Sequence, residues 1–181
     1  MGLSADFYKA NVLRSYAFFR TVFDEIALEY PDIESEHCLV DAMTVILVRR
    51  PSHYDVIVTE NMFGDIISDL GAATIGGMGM APAAEIGAAQ GLFQAAHGSA
   101  PDIAGCGVAN PYGTILSAAM MLDWLADRHG DVRLSDAARR IEAAVDVALS
   151  GGSALVATLV EPKGPQRIVK VVCGVLLAEM A

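Results

Sequence analysis

Two aspartates, Asp65 and Asp69, stand four residues apart in the string Glu60-Asn61-Met62-Phe63-Gly64-Asp65-Ile66-Ile67-Ser68-Asp69, just after the apolar run Val56-Ile57-Val58. On a helix this spacing projects both carboxylates from one face. Like charges held together repel unless a cation lies between them, and a hard divalent ion such as Mg²⁺ or Mn²⁺, with its preference for oxygen ligands, fits that role. Acids at this spacing are also common on solvated helix faces. The surroundings favour a metal site here, because the pair lies at the mouth of an apolar strand with Asn61 and Gly64 beside it, and Ile66 and Ile67 separate the acids. Asp41, between a strand and a short helix, offers either a third carboxylate or a helix cap.

A second group of functional side chains lies in His97-Gly98-Ser99-Ala100-Pro101-Asp102-Ile103-Ala104-Gly105, which reads as a loop. Its glycines let a ligand approach the backbone. Asp102 could accept hydrogen bonds from two adjacent ribose hydroxyls, and its charge would repel a phosphate placed there. The plainer alternative is that Asp102 caps a turn and His97 is a core histidine. No G-x-G-x-x-G is present, so an ordinary dinucleotide phosphate loop is not available. Lysine occurs only at Lys9, Lys163 and Lys170, and Lys9 lies just before the first helix.

The elements that must position these groups alternate between helix and strand. Leu13, Phe18, Val22 and Ile26 recur at near-helical spacing and predict a helix over 11–30, closed by Pro31. Residues 34–40 read as a strand, 42–49 as a short helix stopped before Pro51, and 55–59 as a buried strand. The acid pair then falls on a helix over 63–74. Gly76-Gly77-Met78-Gly79 breaks the pattern and marks a hinge or domain junction. Beyond it, 92–96 reads as a strand, and Pro111 fits the first turn of a helix running to about His129 with Ile115, Ala119 and Leu122 on one face. Ser135 is expected to cap the next helix, which ends near Gly151-Gly152. The apolar remainder, 153–181, contains Pro162 and Pro165.

Composition narrows the class of protein. The chain has 181 residues, 54% of them hydrophobic, and a mean hydropathy of +0.43, which is rich for a soluble protein and suggests surface buried against a partner. A net charge of −10 without a lysine/arginine cluster argues against nucleic acid or an acidic membrane as ligand. The longest uncharged stretch, 103–122, is interrupted by Gly105, Gly107 and Asn110-Pro111, too broken for a membrane helix. Cys38, Cys106 and Cys173 are odd in number and lack C-x-x-C spacing, as expected of thiols in a reducing compartment. The start of the chain shows no targeting pattern. A cytoplasmic protein is the expectation.

Four segments, in order, carry a family resemblance: Lys9-Ala10-Asn11-Val12; Val40-Asp41-Ala42-Met43; Thr59 through Leu70; and His97 through Gly105, followed by Ala109-Asn110-Pro111. Together they resemble the C-terminal half of the isocitrate/isopropylmalate dehydrogenase family, and most closely the 3-isopropylmalate and tartrate dehydrogenases. The resemblance implies an α/β fold consisting of the C-terminal half of that family's architecture, with incomplete mixed sheets flanked by helices. Residues 1–75 would belong to the smaller substrate and dimerisation domain, and 76–181 to the larger cofactor-binding domain.

The activity implied is metal-dependent oxidative decarboxylation of a small 2-hydroxy acid with NAD. By this resemblance Asp65 and Asp69 match metal ligands for Mg²⁺ or Mn²⁺ from one subunit, and Asp41 matches the ligand from the other. Lys9 matches the lysine that assists proton transfer across the dimer interface. His97, Gly98, Ser99, Ala100, Asp102, Ile103 and Asn110 resemble the adenosine-binding segment, with Asp102-Ile103 in the NAD-preferring form. The expected partners are a second copy in a homodimer, or a separate N-terminal half. That half supplies the family's substrate-gripping arginines and catalytic tyrosine, which have no counterpart in these residues. The tail around Glu161-Pro162-Lys163-Gly164-Pro165 departs from the family pattern. The alternative reading is a truncated, catalytically silent remnant or assembly module.

Overall fold

The structure, a computed structural model, describes residues 3–8, 14–150 and 164–178. The chain divides into two compact units, Met1–Ile75 and Gly76–Ala181.

In the first unit the order is β1 (Leu3–Tyr8), α1 (Arg14–Ala27), β2 (Glu34–Leu39), α2 (Val40–Arg49), β3 (Val56–Thr59) and α3 (Asn61–Thr74). The strands form a parallel sheet in the order β2-β1-β3, with Phe7 aligned to both Cys38 and Thr59. Parallel neighbours cannot be joined by tight hairpins, so helices supply the crossovers: α1 links β1 to β2, and α2 links β2 to β3. Cys38, Met43 and Ile67 form the core, packed by Val40, Ile46, Leu47, Tyr54 and Ile57. Cys38 and Ile57 therefore mark the sheet face covered by α2 and α3. The helix expected over 11–30 is present from Arg14 and ends at Ala27, three residues short of Tyr30, while Phe18 is 73% exposed and α1 buries no residue fully. β1 falls where sequence reading expected no element, because Leu3-Ser4-Ala5-Asp6-Phe7-Tyr8 has neither a continuous apolar run nor strict alternation.

In the second unit Gly76 and Gly77, at φ +110° and +109°, take backbone conformations that L side chains rarely adopt. A 3₁₀ turn over Met78–Met80 follows. β4 (Pro82–Ile86) and β5 (Gly91–Ala95) make an antiparallel ribbon with Ala84 opposite Phe93, and α4 (Tyr112–His129) packs on both strands. Ser117, 2% exposed, ties helix to ribbon: its hydroxyl accepts from Ala83 N at 3.3 Å and lies 2.6 Å from the Gln94 carbonyl and 2.8 Å from that of Gly113. β4 was not foreseen, since Pro82-Ala83-Ala84-Glu85-Ile86 is poor in β-branched residues.

Gly130, at φ +65°, ends α4 in the left-handed conformation. α5 (Val132–Ser150) then begins three residues before the expected cap at Ser135. The Asp131 carboxylate takes that role instead, accepting from Arg133 N at 3.1 Å, and Ser135 donates across to Asp123 on α4 at 2.9 Å. The expected end of this helix at Gly151-Gly152 lies outside the described residues. The apolar remainder yields α6 (Gly164–Ala178), whose Ile168 and Val172 join Tyr112, Ala144, Val145 and Ala148 in the second core. No described helix is long and apolar enough to cross a membrane.

Candidate metal and cofactor sites

The acid pair owes its place to the end of β3. Glu60 stops the strand in extended conformation, and its carboxylate accepts from Met62 N at 3.0 Å and Phe63 N at 2.9 Å, satisfying donors that a helix start leaves orphaned. Tyr16 of α1 donates to the same Glu60 oxygen at 3.4 Å and its ring lies 5.3 Å from that of Phe63. Loss of water around its hydroxyl, and then the Glu60 charge, raise the Tyr16 pKa. The capped helix starts at Asn61, two residues before the expected Phe63. Buried Ile67 and Ala72 fix one side of α3 in the core, while Asp65 and Asp69 are exposed.

Asp41 is likewise exposed and stands in the first turn of α2, which packs on α3. It is not the cap: Leu39 holds that position, and Asp41 Oδ1 accepts from the adjacent Ala42 N at 3.0 Å. Among the described residues, no three His, Cys, Asp or Glu side chains gather into a group able to hold a metal. Asp65 and Asp69, four residues apart on α3, stand exposed without a third such group beside them among the described residues. Lys9 lies outside the described residues.

In the second unit β5 delivers the chain into the 97–105 loop. Ala100, at φ +41°, is the sole positive-φ non-glycine among the described residues, and a 3₁₀ turn over Pro101–Ile103 follows it. His97, Gly98, Ser99, Ala100 and Asp102 are exposed, and Ile103 is half-buried. His97 is not a core histidine; its Nδ1 lies 2.9 Å from the carbonyl oxygen of Gly98. A Cβ built at Gly98 or Gly105 meets nothing within 4 Å, so backbone and open space adjoin along the loop.

Asn110 sits at the other end of this segment. Its Oδ1 accepts from Tyr112 N at 3.0 Å, capping α4, while its Nδ2 lies 3.2 Å from Met80 Sδ. Pro111 precedes the first helical residue. Sequence reading missed Glu60, whose carboxylate caps α3; an acid immediately before an apolar helical run was the available signal.

The family model described as isocitrate/isopropylmalate dehydrogenase matches residues 5–160. The chain belongs to this family. It is 50% identical over 145 residues to the 3-isopropylmalate dehydrogenase of Shouchella clausii, covering 80% of this chain but 38% of that protein. The isocitrate dehydrogenase of Methylococcus capsulatus superposes with a TM-score of 0.85 at 39% identity, over 97% of this chain and 50% of that one. A β-decarboxylating dehydrogenase of Thermococcus kodakarensis gives 0.82 at 37% identity, over 99% and 50%. The chain thus spans about two fifths of the length of the curated relative it matches. α6 lies beyond the family match, yet the structural likenesses extend across nearly the whole chain.

Proposed function

We propose that this chain carries the metal- and cofactor-binding portion of an NAD-dependent dehydrogenase acting on a 2-hydroxy acid of the 3-isopropylmalate type. The observation that carries the reading is the exposed Asp65/Asp69 pair on a helix anchored by Glu60 and Ile67. Two oxygen-only donors without a softer ligand beside them suit Mg²⁺ or Mn²⁺. Such an ion supplies Lewis acidity toward the substrate's hydroxyl and carboxylate oxygens.

Asp65 and Asp69 bind it from one subunit, and Asp41 of a second copy completes the carboxylate set. Lys9 moves the proton. In the second unit the open backbone at Gly98 and the exposed Asp102 carboxylate hold an adenosine, with Asp102 accepting from ribose hydroxyls and repelling a 2′-phosphate. His97, Ser99, Ala100, Ile103 and Asn110 complete that segment. Residues 1–75 act in the substrate and dimerisation domain, 76–181 in the cofactor domain. Cys38, Cys106 and Cys173 form no disulfide, which suits the cytoplasm. The second reading is an inactive assembly module of the same family.

Calorimetric titration with Mn²⁺ tests the site apart from turnover. Binding that falls roughly tenfold or more in Asp65→Asn and in Asp69→Asn supports it, on the scale of losing one charged ligand. Equal binding by wild type and both variants overturns it. NADH formation with 3-isopropylmalate, lost in Lys9→Met, separates the dehydrogenase from the inactive module.

A further inference from the structure

The half-buried side chain of Asn110 is held at both ends of its carboxamide. Tyr112 N can only donate, so the atom 3.0 Å from it is the oxygen, and Nδ2 is turned toward Met80, whose Sδ lies 3.2 Å away. A thioether sulfur is a weak acceptor, but it is one, and a leucine or isoleucine in its place would offer none. The contact joins the 3₁₀ turn over Met78–Met80 to the start of α4, 30 residues further along the chain.

Met80 is itself fixed in place. Its N donates to the Gly77 carbonyl at 2.9 Å, and its side chain packs against the core that contains Tyr112 and Ile168. A Cβ at Gly76 would stand 3.4 Å from Met80 Cγ, in ordinary contact. The helix presses on the same turn: a Cβ at Gly113 would meet the Ala81 carbonyl oxygen at 2.9 Å and that of Gly79 at 3.2 Å. Packing this close leaves the sulfur little room to move from Nδ2. A rigid neighbour that holds a binding residue by a hydrogen bond sets where that residue stands, as outer-shell partners do for metal ligands.

We propose that Met80 is a positioning residue for the adenosine segment: its sulfur accepts from Asn110 Nδ2 and locks residue 110 where that segment enters α4. The inference rests on reading His97 to Asn110 as the part of the chain that holds NAD. It adds a residue outside that segment on which the affinity depends, and the atom through which it acts.

Calorimetric titration of the 181-residue chain with NAD tests this in wild type, Met80→Leu, Met80→Gln and Asp102→Ala. Met80→Leu keeps the apolar volume and deletes the acceptor, and should lower NAD affinity by about threefold to tenfold, the scale of one neutral hydrogen bond. Met80→Gln supplies an acceptor oxygen on a side chain of similar length but sets an amide against the apolar core. It should unfold at lower urea than Met80→Leu and yet bind NAD more tightly than Met80→Leu does. Affinity that follows the acceptor while stability runs the other way is a result that packing alone does not produce. Equal NAD affinity in wild type and Met80→Leu overturns the proposal, and so does Met80→Gln binding no better than Met80→Leu; either result leaves the adenosine reading standing if Asp102→Ala binds more weakly than wild type. Wild type that binds no NAD, or binding that Asp102→Ala leaves unchanged, overturns the adenosine reading and this inference with it.

Discussion

The backbone of Gly79 lies directly against the side chain of Asn110: a Cβ at Gly79 would stand 2.7 Å from Asn110 Cβ and 3.2 Å from its Cγ and Nδ2. Asn110 cannot swing away freely, because its Oδ1 caps α4 through Tyr112 N. Gly79→Ala is therefore expected to lower stability by about 1–3 kcal/mol, the usual cost of forcing an extra carbon into a packed contact. Urea unfolding measures this. Displacing Asn110 should also weaken NAD binding, and unchanged affinity would detach Asn110 from the proposed adenosine segment.

Glu60 anchors the helix that presents Asp65 and Asp69. Glu60→Ala removes the acceptor for Met62 N and Phe63 N and is expected to cost about 0.5–2 kcal/mol, as for loss of other helix caps. Hydrogen exchange should quicken at Met62 and Phe63 first. Glu60→Gln, which keeps an acceptor oxygen, should restore most of the protection.

Asp131 titrates far below an ordinary aspartate, at about 2, chiefly through the side-chain and backbone hydrogen bonds it accepts from Arg133. A folded pKa below the unfolded one favours the native state above the unfolded value of 3.8, and that contribution disappears as pH falls through about 2. Carboxyl NMR should find the low midpoint in the wild type. Arg133→Gln should move it upward, and a midpoint unchanged by that substitution would refute the assigned cause.

The legible parts of the fold were those whose signal is local. α3 follows an apolar strand and carries apolar residues at helical spacing, so its place and its acid pair could be read directly. The same holds for β5 entering the 97–105 loop. α6 was not legible because its charge-poor sequence marks burial without revealing the partner surface, here Ala144, Val145 and Ala148 on α5. Ser135 has the side chain of a cap but not the position. Asp131, placed just after the left-handed Gly130, lies nearer the exposed amides that open α5.

The sequence alone determined the chemical inventory: which carboxylates share a helix face, which segment is a glycine-bearing loop, and which family the chain resembles. Residue type and local spacing suffice for that, since i, i+4 geometry and backbone freedom are properties of short segments. Tertiary structure decided which of these groups stand on rigid supports and which apolar faces remain uncovered. Glu60 meets Tyr16 across 44 residues, and Val56 faces Phe23 across a groove, only because the parallel sheet brings α1 over β3. Such contacts join segments far apart in the chain, so no local pattern encodes them.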